Sequence, residues 1–125
     1  MSIDPLSAII DAQIAAYNAQ DIDAFLGFFR EDFEFWDFPD TLRFKGRKEA
    51  QTRYEALFGA NPNLRARVLT RIVRAPLVVD HEHLTGHARR GEGINGVVIY
   101  ELVDGLIAKV WSGAWSDAGL KLSSE

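Results

Sequence analysis

The chain has no cysteine, which excludes disulfides, a thiolate nucleophile and a cysteine-ligated metal. It also lacks an excess of positive charge. Fourteen lysines and arginines stand against 18 aspartates and glutamates, for a net charge of -4. Non-specific nucleic-acid binding needs a basic footprint, so no nucleic-acid partner is expected. No apolar run approaches the ~20 residues of a membrane span. The opening Met1-Ser2-Ile3-Asp4-Pro5 has none of the charge that begins a signal peptide. A cytoplasmic protein with no membrane partner is therefore expected. Glycine-rich phosphate loops and a nucleophile elbow are missing as well. The run Gly91-Glu-Gly-Ile-Asn-Gly96 precedes a strand, not a helix, and reads as a mobile loop at a pocket mouth.

What is present fits one domain over residues 1–125, with 47% apolar residues to build a core. Asp4-Pro5 is an N-cap followed by proline at the first helical position. Leu6, Ile9, Ile10, Gln13, Ile14 and Tyr17 then recur at helical spacing on one face. Gln13 is the polar member of that stripe. Asp21 caps a second helix, with Ile22, Phe25, Leu26 and Phe29 inward, ending near Arg30-Glu31-Asp32. A third helix is predicted from about Arg47 to Phe58, stopped by Gly59 and Pro62.

The rest alternates with period two. Phe33 to Phe38 is a strand that puts Phe33, Phe35 and Asp37 on one side. Pro39-Asp40 is a turn, and Thr41 to Lys45 a short return strand. From Leu64 to Ile72, apolar positions alternate with Arg65, Arg67, Leu69 and Arg71, which reads as a half-buried strand with a solvated charged face. Leu77–Thr85, Ile94–Val103 and Leu106–Trp115 are three further strands, the last two joined by the hairpin signal Asp104-Gly105. The last ten residues read as a mobile tail. Helices first and hairpin-linked strands after them predict an α+β fold. Three helices on the concave side of a bent, mixed or antiparallel sheet would leave a pocket between them.

Asp37 stands out as a carboxylate at the end of an apolar strand face. Buried there it would have a raised pKa and suit a general base; at a solvated strand end it would merely cap the turn. Gln13, Tyr17 and Tyr54 put polar atoms on inward helix faces, either to polarise a ligand or to meet a protein partner. Phe33, Phe35, Val98, Tyr100 and Trp111 are the expected ligand-binding walls. Trp111 and Trp115 fall on one face of the last strand by alternation, either to line the pocket, to pack the core or to form a dimer face. His81 and His83 share one strand face, and with His87 they are zinc-ligand types. Gly86 ends that strand before His87, so no metal site is assigned. A single histidine, His81, as proton relay is preferred.

Taken together, Ala16-Tyr-Asn-Ala-Gln-Asp-Ile-Asp-Ala-Phe25, Phe29-Arg-Glu-Asp-Phe-Glu-Phe-Trp-Asp37, Gly46-Arg-Lys-Glu-Ala50 and Asp104-Gly-Leu-Ile-Ala-Lys-Val-Trp111 resemble the nuclear transport factor 2-like superfamily. That superfamily includes ketosteroid isomerases and SnoaL-like polyketide cyclases. The resemblance covers nearly the whole chain. It implies a cone-shaped, cystatin-like α+β barrel, commonly a homodimer through the outer sheet face. In ketosteroid isomerases an aspartate moves a proton while a tyrosine and a protonated aspartic acid hold the dienolate oxygen. By resemblance the base falls on Asp37 and a supporting tyrosine on Tyr54. The oxyanion tyrosine falls on Gln13 and the protonated acid near Val98, so neither oxyanion donor is kept. The resemblance thus implies an isomerase-like or cyclase-like enzyme without cofactor, in which Asp37 acts on a small apolar carbonyl compound with help from Gln13, Tyr17 and His81. The alternative is a non-catalytic ligand-binding or dimerisation module.

Overall fold

Asp4 opens the first helix because its carboxylate accepts the Leu6 amide (2.8 Å), and Pro5 sets the first helical φ. The computed structural model describes residues 4–91 and 93–117; the reading of residues 1–3 lies outside these. Helix α1 (Pro5–Ala19) ends at Gln20 in the left-handed conformation. Asp21 caps α2 (Ile22–Leu26) through the Ala24 amide. The chain continues as β1 (Phe29–Asp37), β2 (Thr41–Lys45), α3 (Arg47–Ala60), β3 (Arg65–Arg74), β4 (Leu77–Thr85), β5 (Ile94–Val103) and β6 (Leu106–Asp117).

The second helix is shorter than its apolar pattern predicts. It stops at Gly27, and Phe29 is already strand. The cause is long-range: the Ile107 amide donates to the Phe28 carbonyl (2.9 Å), and Phe29 pairs with Ile107. Helix α3 runs through Gly59 to Ala60, two residues past its predicted end. The predicted tail overlaps β6, because Ser116 and Asp117 pair with Asn95 and Ile94; residues 118–125 lie outside the described residues.

The fold is α+β. Its sheet has six strands among the described residues, in the order β2-β1-β6-β5-β4-β3. Only the β1–β6 pair is parallel, so the curved sheet is mixed and does not close. Asp104 and Gly105 both take positive φ (53° and 80°), as a two-residue hairpin turn with the strand twist requires. Helix α1 packs on β3 and β4, and α3 on β1 and β2. The core of Ile10, Phe25, Phe29, Phe33, Val78 and Ile107 lies between these layers.

Two irregularities decide which side chains face inward. In β3 the register slips between Val68 and Thr70. Such a bulge inserts one residue and reverses the alternation beyond it. Thr70 and Ile72 therefore face outward, Ile72 at 62% exposure, and Arg71 turns inward. The predicted solvated face holds for Arg65 and Arg67 but not for Arg71. In β6, Ala114 has φ 57°. That kink separates Trp111 from Trp115, which lie on opposite faces despite their even spacing.

Candidate functional site

A cavity of about 280 Å³ opens between the helices and the concave sheet face. This is at the small end of the ligand-site range. Helix α1 supplies Gln13 and Tyr17, and α3 supplies Tyr54. Beside them stand rings of the aromatic cluster, with Phe25 4.7 Å from Tyr54 and Phe58 5.2 Å from Tyr17. From the sheet come Phe35, Glu82, Val98 and Tyr100; from the end of β6, Ser112 and Trp115.

Glu82 is the carboxylate inside this chamber, at 5% exposure. The alternation of β4 puts it inward with Val78, Asp80 and Leu84. The Tyr100 hydroxyl donates to its Oε2 at 2.9 Å. Burial raises its pKa to about 7, with the Tyr100 hydrogen bond opposing, the neighbouring Asp80 charge adding and Arg71 opposing. At neutral pH Glu82 is poised to take or give a proton. Tyr17 and Tyr54 are pushed up, chiefly by burial. Both stay protonated and remain hydrogen-bond donors.

Beneath Glu82, Asp80 is fully buried and held by Arg71, whose Nε and Nη2 reach the two carboxylate oxygens at 2.7 and 3.0 Å. The same guanidinium reaches Ser7 Oγ (3.0 Å) and Asp11 (2.7 Å) on α1. The cavity mouth carries His87, Arg43 and Arg90. Asn61 fixes the turn after β4: its Oδ1 accepts the Ala88 amide (2.7 Å) while its Nδ2 donates to the Leu57 carbonyl. His87 Nδ1 accepts the Arg89 amide (3.1 Å), which leaves the Nε2 position for its ring proton.

Of the residues singled out in sequence, Gln13, Tyr17, Tyr54, Phe35, Val98 and Tyr100 meet in the cavity wall. Phe33 instead belongs to the core, packed on Phe29 and Phe44. Asp37 is absent from the wall: its side chain is 41% exposed and paired with Arg43. It lies at the rim, because β1 ends there and its register partner is Ser112. His81 is exposed on the face opposite Glu82, and Trp111 also lies outside, beside Trp36 and Ile99. His83 bonds Asn95 (2.6 Å) on that outer face. Among the described residues no three histidine, aspartate or glutamate side chains cluster as metal ligands would. Nor is any helix there long and apolar enough to cross a membrane. Sequence reasoning missed Glu82 and His87 as pocket groups, and left Trp115 open between pocket, core and dimer face; it lines the pocket. For Glu82 the only signal was its even spacing from Val78 and Leu84.

Comparison with known proteins gives the same frame. A family model of the SnoaL-like domain matches residues 10–110. No curated protein sequence matches. Among solved structures, an uncharacterised cystatin-fold protein from Novosphingobium aromaticivorans superposes with a TM-score of 0.79 at 24% identity, covering 90% of this chain and 100% of that one. A proposed ketosteroid isomerase from Kribbella flavida gives 0.77 at 20% identity, over 94% and 82%. A proposed polyketide cyclase from Sinorhizobium meliloti gives 0.74 at 18%, over 89% and 100%. With the family model spanning most of the chain and the fold shared, this protein belongs to the SnoaL-like domain family of the nuclear transport factor 2-like superfamily.

Proposed function

We propose that the cavity is an active site for proton transfer on a small apolar carbonyl compound, in a reaction of the isomerase or cyclase type, with Glu82 as general base. The observation that carries this reading is a single carboxylate enclosed by an aromatic wall and held by one hydroxyl donor. Its pKa near 7 suits a base working at neutral pH. Tyr17 and Tyr54, both protonated, are the donors for the developing enolate oxygen. The Kribbella and Sinorhizobium neighbours, proposed as isomerase and cyclase, agree with this class.

A second reading keeps Asp37 as the base. It is favoured by one contact: its partner Arg43 also lines the cavity, so an anionic ligand group that drew Arg43 inward would free Asp37 at the mouth. The two readings separate in one assay. Deuterium uptake at the α-carbon of 1-tetralone in heavy water is followed by NMR with and without protein. Glu82→Gln is expected to lower the catalysed exchange by 10²–10⁴-fold, on the order general-base catalysis contributes, with Asp37→Asn close to wild type. The reverse pattern hands the role to Asp37. No catalysed exchange with any enolisable ketone leaves a binding module.

For the outer sheet face the occupant we infer is a second copy of the chain. Ile72, Val79, Ile99, Trp111, Trp36 and Leu42 are successive register partners across all six strands. They form one continuous apolar row, of a kind that marks interaction surfaces. A neighbouring row, Glu101, Lys109, Glu34 and Lys45, alternates in charge and so can pair with itself about a two-fold axis. Light scattering should give a dimer mass for the native chain and a monomer for Trp111→Glu; a native monomer at high concentration refutes the dimer.

A further inference from the structure

Gln13 Oε1 is the buried side-chain polar atom left without a hydrogen-bond partner among the described residues. The residue is 4% exposed and lines the cavity. Folded proteins rarely leave a buried acceptor unmade, because water can no longer compensate it.

Helix α1 cannot turn to relieve this. At its start Arg71 grips Ser7 and Asp11. Near its end Asn18 holds both backbone groups of Ala66, donating to the carbonyl (2.9 Å) and accepting the amide (2.7 Å). Gln13 lies between the two clamps, and its rotational position on the sheet is fixed. Gln13 lines the same chamber as Tyr17, Phe25 and Glu82.

We infer that the ligand carries a hydroxyl, which donates to Gln13 Oε1, on a compact ring-bearing body: the substrate class is a hydroxylated cyclic ketone rather than a plain one. Phe25, Phe29, Phe35 and Trp115 in the wall favour a flat or ring-shaped body. A hydroxyl both donates and accepts, so it pairs with Oε1 and with Nε2 of the same amide, whereas a keto or ether oxygen can serve only Nε2. The position that the resemblance aligned with an oxyanion donor becomes an acceptor, and the enolate oxygen is left to the tyrosines. The inference rests on the cavity being a ligand site, not on Glu82 being the base.

The test is calorimetric binding of 5-, 6- and 7-hydroxy-1-tetralone, their methoxy counterparts and 1-tetralone to the native chain and to Gln13→Met. At least one hydroxy isomer should bind about tenfold or more tighter than its methoxy and unsubstituted partners, the effect of one well-placed hydrogen bond. Gln13→Met should erase that preference, and its circular dichroism spectrum and urea transition report that the variant is folded. Equal affinities, a preference that survives in Gln13→Met, or no binding by any of the seven compounds at millimolar concentration overturns the inference. The native-chain comparison decides the matter alone should the variant not fold. A hydroxyl preference with no deuterium exchange in any protein would support the ligand class and sink the catalytic reading; exchange lost in Glu82→Gln without a hydroxyl preference would do the opposite.

Discussion

The Tyr100 hydroxyl donates to Glu82 Oε2 at 2.9 Å from β5 to β4, inside the concave face of the sheet. Glu82 is raised from 4.5 to about 7, first by burial. The groups bearing on its charge are Tyr100, Asp80 and Arg71 on the sheet, while Tyr17 and Tyr54 reach the same chamber from α1 and α3. A raised carboxylate means that the folded chain holds a proton the unfolded chain has released. Its contribution to stability is fully present below pH 4.5, is lost as pH rises through about 7 and is flat beyond. The difference amounts to about 3 kcal/mol. Urea unfolding at several pH values should show Glu82→Gln gaining on the native chain from pH 5 to 8 by that order. A parallel pH dependence in both proteins would mean that Glu82 is not perturbed.

Removing the hydroxyl should push the carboxyl further in the same direction. The Tyr100 bond opposes burial by favouring the ionised form. In Tyr100→Phe the rising limb of exchange activity should therefore move up by about one pH unit, the order of one hydrogen bond to a charged group. Carboxyl-carbon NMR titration of Glu82 reads the same quantity without turnover. A shift downward would mean that Tyr100 stabilises the protonated acid instead.

Much of the fold was legible because local signals agreed with the tertiary pairing. The strands Thr41–Lys45, Leu77–Thr85 and Ile94–Val103 begin and end where alternation and turn residues place them. The site was less legible, because its key choices are long-range. Both faces of β4 mix apolar and ionisable residues, Val78, Asp80, Glu82 and Leu84 against Leu77, Val79, His81 and His83, so period alone could not say which enters the core. Arg71 was misplaced, and the shared face of Trp111 and Trp115 was broken, because a single inserted residue inverts every later position on a strand. Asp37 follows its predicted alternation, but β1 ends there, and solvent and Arg43 reach it.

Arg71 and Asp80 form a buried bidentate pair whose guanidinium also ties α1 to the sheet. Breaking such a pair leaves an uncompensated buried charge, at a cost of about 3–5 kcal/mol, whereas replacing both partners by apolar groups is often nearly neutral. Arg71→Met should lower the unfolding free energy read from urea titration by that order. Arg71→Met with Asp80→Leu should recover most of the loss, though the tie to Asp11 is lost in both. Equal losses in the single and double variants would mean that the contacts to α1, not the pair, carry the stability.

Gly96 faces the indole of Trp115 so closely that an added Cβ would lie 2.1 Å from Cδ2 of the ring. The ring is also held by Nε1 donating to Ser112 Oγ at 2.7 Å, so it cannot yield without losing that bond. Gly96→Ala should therefore displace Trp115 from the cavity wall. The expected cost is about 1–3 kcal/mol, as for overpacking elsewhere in protein cores, with weaker ligand binding. A double-mutant cycle with Trp115→Ala isolates the contact. In that background the alanine at position 96 should cost little, because the ring it strikes is gone. An undiminished cost would place the role of Gly96 in the β5 backbone rather than in making room for the indole.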